Sequence, residues 1–212
     1  LRLASRQGFS YIELKGDSFA DSVSRGLEQI TECLLETDCK NGRLHHFLGN
    51  LLEKQGRINE AETAQRLAIE LEPRLAAAHR QLSSVYVKQD SLEEALISAR
   101  RAVECEPGRA DFHCHLGILL QTKRRLEEAE AEQRLAIEID PSYVKAYRRL
   151  SVVLARQGRQ HEALTVAQQA VALDPDNAKL HRHLGSLLQR QGLSEQAEVV
   201  LRRAAQLAAA SP

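Results

Sequence analysis

Eight histidines and four cysteines are the residues of this sequence whose chemistry could hold a metal ion or catalyse a reaction. The histidines are densest in the stretches HCH, residues His113 to His115, and HRH, residues His181 to His183. On a helix, residues i and i+2 point in different directions, so neither pair can converge on one ion. The sequence also contains no glycine-rich phosphate loop and no GxSxG or HExxH motif. We therefore expect no metal, no cofactor and no catalytic residue, and predict that this chain is not an enzyme.

Composition narrows the class of protein further. Lys and Arg together number 29, as do Asp and Glu, so the net charge is zero and there is no overall basic excess of the kind that marks nucleic-acid binding. No apolar run is long enough for a membrane span. The cysteines lack CxxC spacing, so we interpret them as reduced thiols and expect a cytoplasmic protein; they are Cys33, Cys39, Cys105 and Cys114. The chain begins with Leu1 and has no Met, so we also expect it to be truncated at its N-terminus.

The elements that position these residues follow from an internal repeat. Four prolines stand 34 residues apart, at Pro73, Pro107, Pro141 and Pro175. In the same frame a small residue recurs at Gly49, Ser83, Gly117, Ser151 and Gly185, each preceded by leucine. The sequence therefore predicts five units, at residues 42–75, 76–109, 110–143, 144–177 and 178–211.

Each unit has the pattern of two helices. Apolar residues fall at helical spacing in both halves, and a turn such as KQGR or RQGR separates them. The proline ends the second helix, and the small residues allow the two helices to approach closely. The fold class predicted is all-α, built from helical hairpins.

At these residues the sequence resembles the tetratricopeptide repeat family, through its period, its leucine and small-residue pair, its spaced alanines and its closing LEP, CEP, IDP and LDP. The resemblance implies a right-handed superhelix, an α-solenoid, whose first helices line a concave groove that binds peptides or partner proteins as a scaffold. One departure concerns the fourth residue of each unit, which is often aromatic in the family. Here it is His45, His79, His113, Tyr147 or His181, and we interpret the histidines as partly buried packing residues.

Residues 1–41 lie outside this frame. From about residue 17 to 37, Asp17 is a suitable N-cap and apolar residues form one stripe, which predicts an amphipathic helix that caps the first unit. The preceding stretch FSYIELKG is either a short strand or the remnant of another domain.

Basic residues collect on the side of the first helices that faces the groove in this family. They are densest in the fourth and fifth units, and Arg80, Lys145, Arg148, Arg149 and Arg182 have no acidic residue three or four positions away. We predict that an acidic peptide or a C-terminal carboxylate binds this face. The candidate ligand-binding residues are Asn50, Arg80, Ser84, His115, Lys145, Arg148, Arg149, Lys179, Arg182 and His183.

The family resemblance suggests one specific form of such binding. Some of its members grip the acidic C-termini of chaperones with a carboxylate clamp spread over three units. Units two to four offer Arg80, Lys145 and Arg149 at the clamp's basic positions, but Ser84 and His115 where the clamp has asparagines. The match to the clamp is therefore partial.

Two other functions remain open from the sequence. The repeats could be the substrate-recruiting arm of a larger enzyme, such as a glycosyltransferase. They could instead bind RNA, although Phe47 is the only aromatic residue on the basic face and single-stranded RNA usually stacks on several. Nucleic acid is therefore the less favoured partner.

Two expectations concern the second helices. Their acidic runs contain the i, i+4 pairs Glu62 with Arg66 and Glu130 with Arg134, which predict a solvated outer face. The last unit has three consecutive apolar residues, Val199 to Leu201, where the earlier units are more polar. These predict either an end that is covered by further residues or by a second copy of the chain, as a homodimer, or residues that pack inward against the fourth unit.

Overall fold

The computed structural model describes residues 39–210, together with Gly26 and Thr31. Both of these isolated residues are helical, but the rest of the expected capping helix at about 17–37, and the stretch FSYIELKG, lie outside the described residues. The described part contains helices and turns and no strand. It divides between Asp90 and Ser91 into two compact units.

The first compact unit contains three described helices: α1 (Gly42–Lys54), α2 (Ile58–Leu71) and α3 (Ala76–Lys88). The second contains seven: α4 (Leu92–Cys105), α5 (Ala110–Thr122), α6 (Leu126–Ile139), α7 (Val144–Arg156), α8 (Gln160–Leu173), α9 (Ala178–Arg190) and α10 (Ser194–Ala210). Consecutive helices pack as hairpins, namely α1 with α2, α5 with α6, α7 with α8 and α9 with α10. The all-α prediction is confirmed.

A residue with positive φ ends the first helix of each hairpin. It is glycine at Gly56, Gly158 and Gly192, where φ is 79°, 83° and 78°. Asp90 and Arg124 take the equivalent places with φ of 60°. The left-handed conformation turns the chain back sharply after the helix. Because glycine adopts this conformation most easily, the glycines in the sequence indicated where the turns lie.

The fourth residue of each unit makes the same hydrogen bond, through a histidine in four units and through Tyr147 in the fourth unit. Each ring Nε2, or the tyrosine hydroxyl, donates to a backbone carbonyl six residues earlier, which in four units is that of the repeating proline. The interpretation of these histidines as packing residues therefore holds. The pairs are His45 with Cys39 (2.9 Å), His79 with Pro73 (2.9 Å), His113 with Pro107 (2.9 Å), Tyr147 with Pro141 (3.0 Å) and His181 with Pro175 (2.8 Å).

The small residue of each first helix is matched to the side chain opposite it on the second helix. In the third unit, Gly117 leaves room for Gln133, which is fully buried and donates to the Cys114 carbonyl at 3.0 Å. In the fourth unit, Ser151 instead donates to the Ala163 carbonyl at 2.8 Å. The residue that corresponds to Gln133 there is the smaller Ala167. The side chains at these two positions thus compensate each other in volume, as close packing between two helices requires.

The second helices are less solvated than the sequence suggested. The predicted pairs form, with 2.9 Å between Arg66 and Glu62 and 2.8 Å between Arg134 and Glu130. However, Glu130 is buried, so the expectation of a solvated outer face is wrong at this residue. The physical reason is that Arg159, from the next unit, covers its carboxylate.

The apolar end predicted at α10 is smaller than expected. Val200 packs against the core formed by α7 to α10, and Leu201 lies against Gly185. Only Val199 is exposed, at 68%. The alternative in which these residues pack inward therefore describes Val200 and Leu201, because their helix turns them toward the core.

The exchange of volume between residues 117 and 133 can be tested by mutation. Gly117→Ser places a Cβ against the Gln133 amide and should cost about 1–3 kcal/mol in the free energy of unfolding. The double variant Gly117→Ser, Gln133→Ala recreates the serine and alanine of the fourth unit and should recover most of that loss. Urea denaturation of wild type, both single variants and the double variant completes the cycle. A double variant less stable than both singles would contradict the volume match.

A second test concerns His113, which makes two hydrogen bonds. Its Nε2 donates to Pro107, and its Nδ1 lies 2.7 Å from Glu132 Oε2. The bond to Glu132 raises the pKa of His113 above 6.5, and the Pro107 carbonyl adds to this while burial opposes it. A raised pKa in the folded state stabilises the protein fully below the unfolded pKa, and this stabilisation is lost as pH rises through the folded pKa.

We therefore expect Glu132→Gln to lower the melting temperature more at pH about 6 than at pH about 9. The reason is that glutamine can pair with neutral imidazole but does not favour the protonated form. Thermal melting across this pH range checks the result. The same substitution in a His113→Phe background is the control and should show no pH dependence of its effect.

Candidate functional site

The predicted basic residues of the fourth and fifth units lie on two helices of the second compact unit. On α7, Leu150, Val153 and Leu154 are buried, while Lys145 and Arg148 lie on the opposite stripe. α9 has the same division between buried leucines and exposed or half-buried basic residues. We call this set the basic α7–α9 surface, defined as Lys145, Arg148, Arg149, Lys179, Arg182 and His183.

A shared apolar core holds α7 and α9 in place. Leu150 and Leu154 of α7 belong to one buried cluster with Leu184, Leu187 and Leu188 of α9. Full burial of one leucine side chain is worth about 1.5–3 kcal/mol, so these five contacts fix the two helices firmly. The basic side chains on the other stripe are therefore presented from rigid elements.

Three of the predicted site residues line one cavity of about 290 Å³. Lys145 and Arg148 come from α7 and Lys179 from α9, and the turn before α9 contributes Asp174 and Asn177. Asn177 donates to Asp174 Oδ2 at 2.8 Å and accepts from the Lys179 backbone N–H at 3.1 Å, which fixes this turn. The cavity thus has three cationic side chains and one carboxylate.

These cations lack the ion pairs that other arginines make. Three other arginines each donate two hydrogen bonds to the glutamate three residues later, and they are Arg57, Arg125 and Arg159. Within residues 39–210, by contrast, neither Lys145 nor Arg148 forms an ion pair with an acidic side chain. The cavity therefore keeps a net positive charge, since Asp174 is its single carboxylate and forms no ion pair with these cations on the described chain.

Arg149 adds an unsatisfied donor to this surface. Its side chain is half-buried, and burial lowers the pKa of its guanidinium, with Arg148 and Arg156 lowering it further. Its Nε is buried and has no hydrogen-bond partner in the described structure. A buried donor without a partner costs free energy, so an anionic ligand that reached it would remove an existing penalty.

His183 lies near the same positively charged side chains but is itself uncharged. Burial lowers its pKa to about 4, and Arg148 and Arg190 contribute to this shift. Its Nε2 is 3.0 Å from the Ser151 hydroxyl. Because that hydroxyl gives its single hydrogen to the Ala163 carbonyl, the histidine must donate through Nε2, which leaves Nδ1 as an acceptor.

α5 lies next to the basic α7–α9 surface. Cys114 of α5 is fully buried, and its pKa is raised by burial, an effect that Lys145, Arg149 and Arg148 oppose. Cys39, Cys105 and Cys114 are free thiols. The predicted ligand residue His115 follows Cys114 on α5 and is half-buried.

The remaining predicted residues belong to the first compact unit. The Asn50 amide donates to His46 Nε2 at 3.1 Å and accepts from Gln65 at 3.2 Å, so one of its amide hydrogens is left for a ligand. Arg80 donates to the Gln81 side chain at 3.0 Å. Ser84 is half-buried on α3. Among the hydrogen bonds of the first compact unit's described residues, none joins Asn50, Arg80 and Ser84 to one another.

A second cavity of about 250 Å³ lies between α4, α5 and α6. Its charged residues already have partners: Arg100 lies 3.2 Å from Glu128, and Glu132 pairs with His113. Its charges are therefore balanced locally, which makes the basic α7–α9 surface the stronger candidate for a charged ligand.

Metal binding and membrane insertion find no support in the described part of the chain. No group of three or more His, Cys, Asp or Glu side chains between residues 39 and 210 could hold a metal ion. Over the same residues, no helix combines the length and hydropathy needed to cross a bilayer.

Sequence reasoning missed the turn before α9. Asp174 and Asn177 lie in the cavity, yet neither was among the predicted ligand residues. The available signal was Asn177 directly before a helix start, since asparagine is a preferred N-cap and so marks the position of a helix N-terminus. That signal locates the turn but does not show that it meets Lys145.

Comparisons with known proteins identify the repeat. The family model described as "Tetratricopeptide repeat" matches residues 42–75 and 110–143, and the one described as "TPR repeat" matches residues 153–192. Together these segments make up just over half of the chain. Curated protein sequences gave no significant match.

Solved structures with the same fold include MamA from Desulfovibrio magneticus RS-1, which is 17% identical with a TM-score of 0.72 over 81% of this chain and 97% of that one. PilF from Pseudomonas aeruginosa is 20% identical with a TM-score of 0.72 over 78% and 76%. YrrB, described as a tetratricopeptide protein with an unusual peptide-binding site, is 21% identical with a TM-score of 0.67 over 85% and 93%.

At these identities the likeness establishes the fold, an all-α repeat of helical hairpins. Taken with the matched repeat models, it means that this chain belongs to the tetratricopeptide repeat family, whose arrays are scaffolds for protein–protein interaction.

Proposed function

We propose that this chain is an interaction module whose basic α7–α9 surface binds carboxylate groups of a partner protein, in an acidic segment or at a free C-terminus. The observation that carries the proposal is the cavity where Lys145, Arg148 and Lys179 converge without acidic partners on the described chain. Basic side chains that serve only to keep a surface hydrated are not expected to converge on one cavity.

The chemistry of these side chains favours a carboxylate. The guanidinium group of arginine can donate two parallel hydrogen bonds to the two oxygens of a carboxylate, and each lysine ammonium adds a positive charge nearby. The cavity of about 290 Å³ is large enough for a side-chain carboxyl group or a chain terminus but not for a folded element. A peptide lying across the surface would reach Arg149, whose buried Nε would then gain an acceptor.

A protein ligand is favoured over RNA by the aromatic side chains available. Tyr147 is the aromatic residue of α7, and its hydroxyl donates to the Pro141 carbonyl at 3.0 Å. Its position is that of a packing residue, whereas single-stranded RNA is usually held on several free aromatic faces. Peptide binding is also the property for which YrrB is described, although that resemblance concerns the fold.

The proposal is tested by charge reversal. Lys145→Glu combined with Arg148→Glu should weaken binding of a short labelled peptide rich in Asp and Glu by about tenfold or more, because two attractive contacts become repulsive. Fluorescence anisotropy at low and high salt measures the affinity, and wild-type affinity should fall as salt rises. Thermal melting confirms that the variants are folded.

The matched control is Arg74→Glu combined with Arg124→Glu, which changes the net charge equally at two exposed turn residues outside the basic α7–α9 surface. It should bind almost as well as wild type. A peptide with an amidated C-terminus separates recognition of the chain end from recognition of acidic side chains. Equal binding by wild type and the Lys145, Arg148 variant would reject the proposal.

A further inference from the structure

The five units alternate between two kinds. The first, third and fifth units have glycine at their eighth residue and glutamate at their twenty-first, and the second and fourth have serine and leucine at these places. We call them odd and even units. The glutamates are Glu62, Glu130 and Glu198, and the leucines are Leu96 and Leu164.

Each glutamate pairs with an arginine one helical turn later. The distances are 2.9 Å for Arg66 to Glu62, 2.8 Å for Arg134 to Glu130 and 2.8 Å for Arg202 to Glu198. All three odd units therefore present the same charged pair on their second helix.

In two odd units the following even unit covers the glutamate of this pair. The Gln89 amide donates to Glu62 at 2.8 Å, and the Gln157 amide donates to Glu130 at 2.9 Å. Arg159 also donates to both Glu130 oxygens at 2.8 Å. The glutamate side chains are accordingly only 23% and 11% exposed.

The covered carboxylate is well satisfied. Burial acts to raise the pKa of Glu130, but the hydrogen bonds from Gln157 and Arg159 outweigh it and hold the pKa below its usual value. Because a buried carboxylate is costly without such donors, the glutamine at the end of the even unit's first helix is the group that makes burial possible.

The opposite junction, from an even unit to an odd one, lacks this contact. Gln191 occupies the place of Gln89 and Gln157 in the fifth unit, but the fourth unit offers Leu164 instead of glutamate. In the described structure the Gln191 Nε2 is buried and has no partner. In the third unit the same place is taken by Lys123, which pairs with Glu93. Within residues 39–210, this glutamate and glutamine thus meet only where an even unit follows an odd one.

We propose that α10 is a docking surface for a further helical hairpin of the even kind, whose glutamine at the end of its first helix donates to Glu198. The Glu198 side chain is 72% exposed, although the corresponding glutamate is covered in the other two odd units. Val199, 68% exposed beside Glu198, adds apolar area to this surface. A single exposed valine gives a second copy of the chain little apolar area to bury. Glu198, by contrast, provides the hydrogen-bond acceptor that the glutamine of an even hairpin requires.

The experiment extends the chain after Ser211 with a copy of its own even unit, residues 144–177. We expect added helical content by circular dichroism, because a docked hairpin folds on its neighbour. Glu198→Leu should then lower the melting temperature of the extended chain by about 2–4 °C, since it leaves the copied glutamine without an acceptor. The same substitution in the unextended chain should leave the melting temperature unchanged, because Glu198 is exposed there.

The matched control is an extended chain in which the copied Gln157 is replaced by leucine, where Glu198→Leu should have no further effect. Equal shifts in the extended and unextended chains, or an extension that adds no helical content, would overturn the proposal. So would sedimentation that shows the unextended chain as a dimer dissociated by Val199→Glu, because a second copy would then occupy the surface.

Discussion

Close packing between the two helices of each hairpin is the constraint on which the rest of this structure depends. It requires that the eighth residue of a unit be small and that the side chain facing it fit the space that remains. Gly117 with the buried Gln133, and Ser151 beside the smaller Ala167, are two solutions of the same volume problem. Because the spacing is kept, the apolar stripes of α7 and α9 meet in one core and their basic stripes share one side.

The net charge of this protein is zero. Its charged side chains differ instead in whether each has a partner of opposite charge. Arginines at the starts of second helices are paired within a few residues, as Arg159 is with Glu162. Glu130 is paired between units. Against this background the unpaired Lys145 and Arg148 stand out, because they face a cavity and a half-buried Arg149 whose Nε has no acceptor. A carboxylate ligand would complete the pairing that the chain leaves open there.

Much of the fold could be predicted because its causes are local and repeated. The proline period, the glycines of the turns and the helical spacing of the leucines each act within one unit, so the sequence alone indicated helical hairpins. The candidate site was predicted only in part. Helical spacing showed that Lys145 and Arg148 share a stripe, but not that Lys179 and Asp174 meet them. That meeting depends on how neighbouring hairpins pack.

The sequence by itself therefore determined the class of fold and indicated which side of each first helix carries charge, since these follow from periods of 3.6 and 34 residues. Only the tertiary structure decided which polar groups find partners. The Glu130 carboxylate is buried because a glutamine 27 residues later reaches it. His183 is neutral because burial lowers its pKa to about 4, with a further contribution from Arg148 of the preceding unit. Such contacts join different units, and their geometry depends on the packing angle between hairpins, which the repeat pattern does not contain.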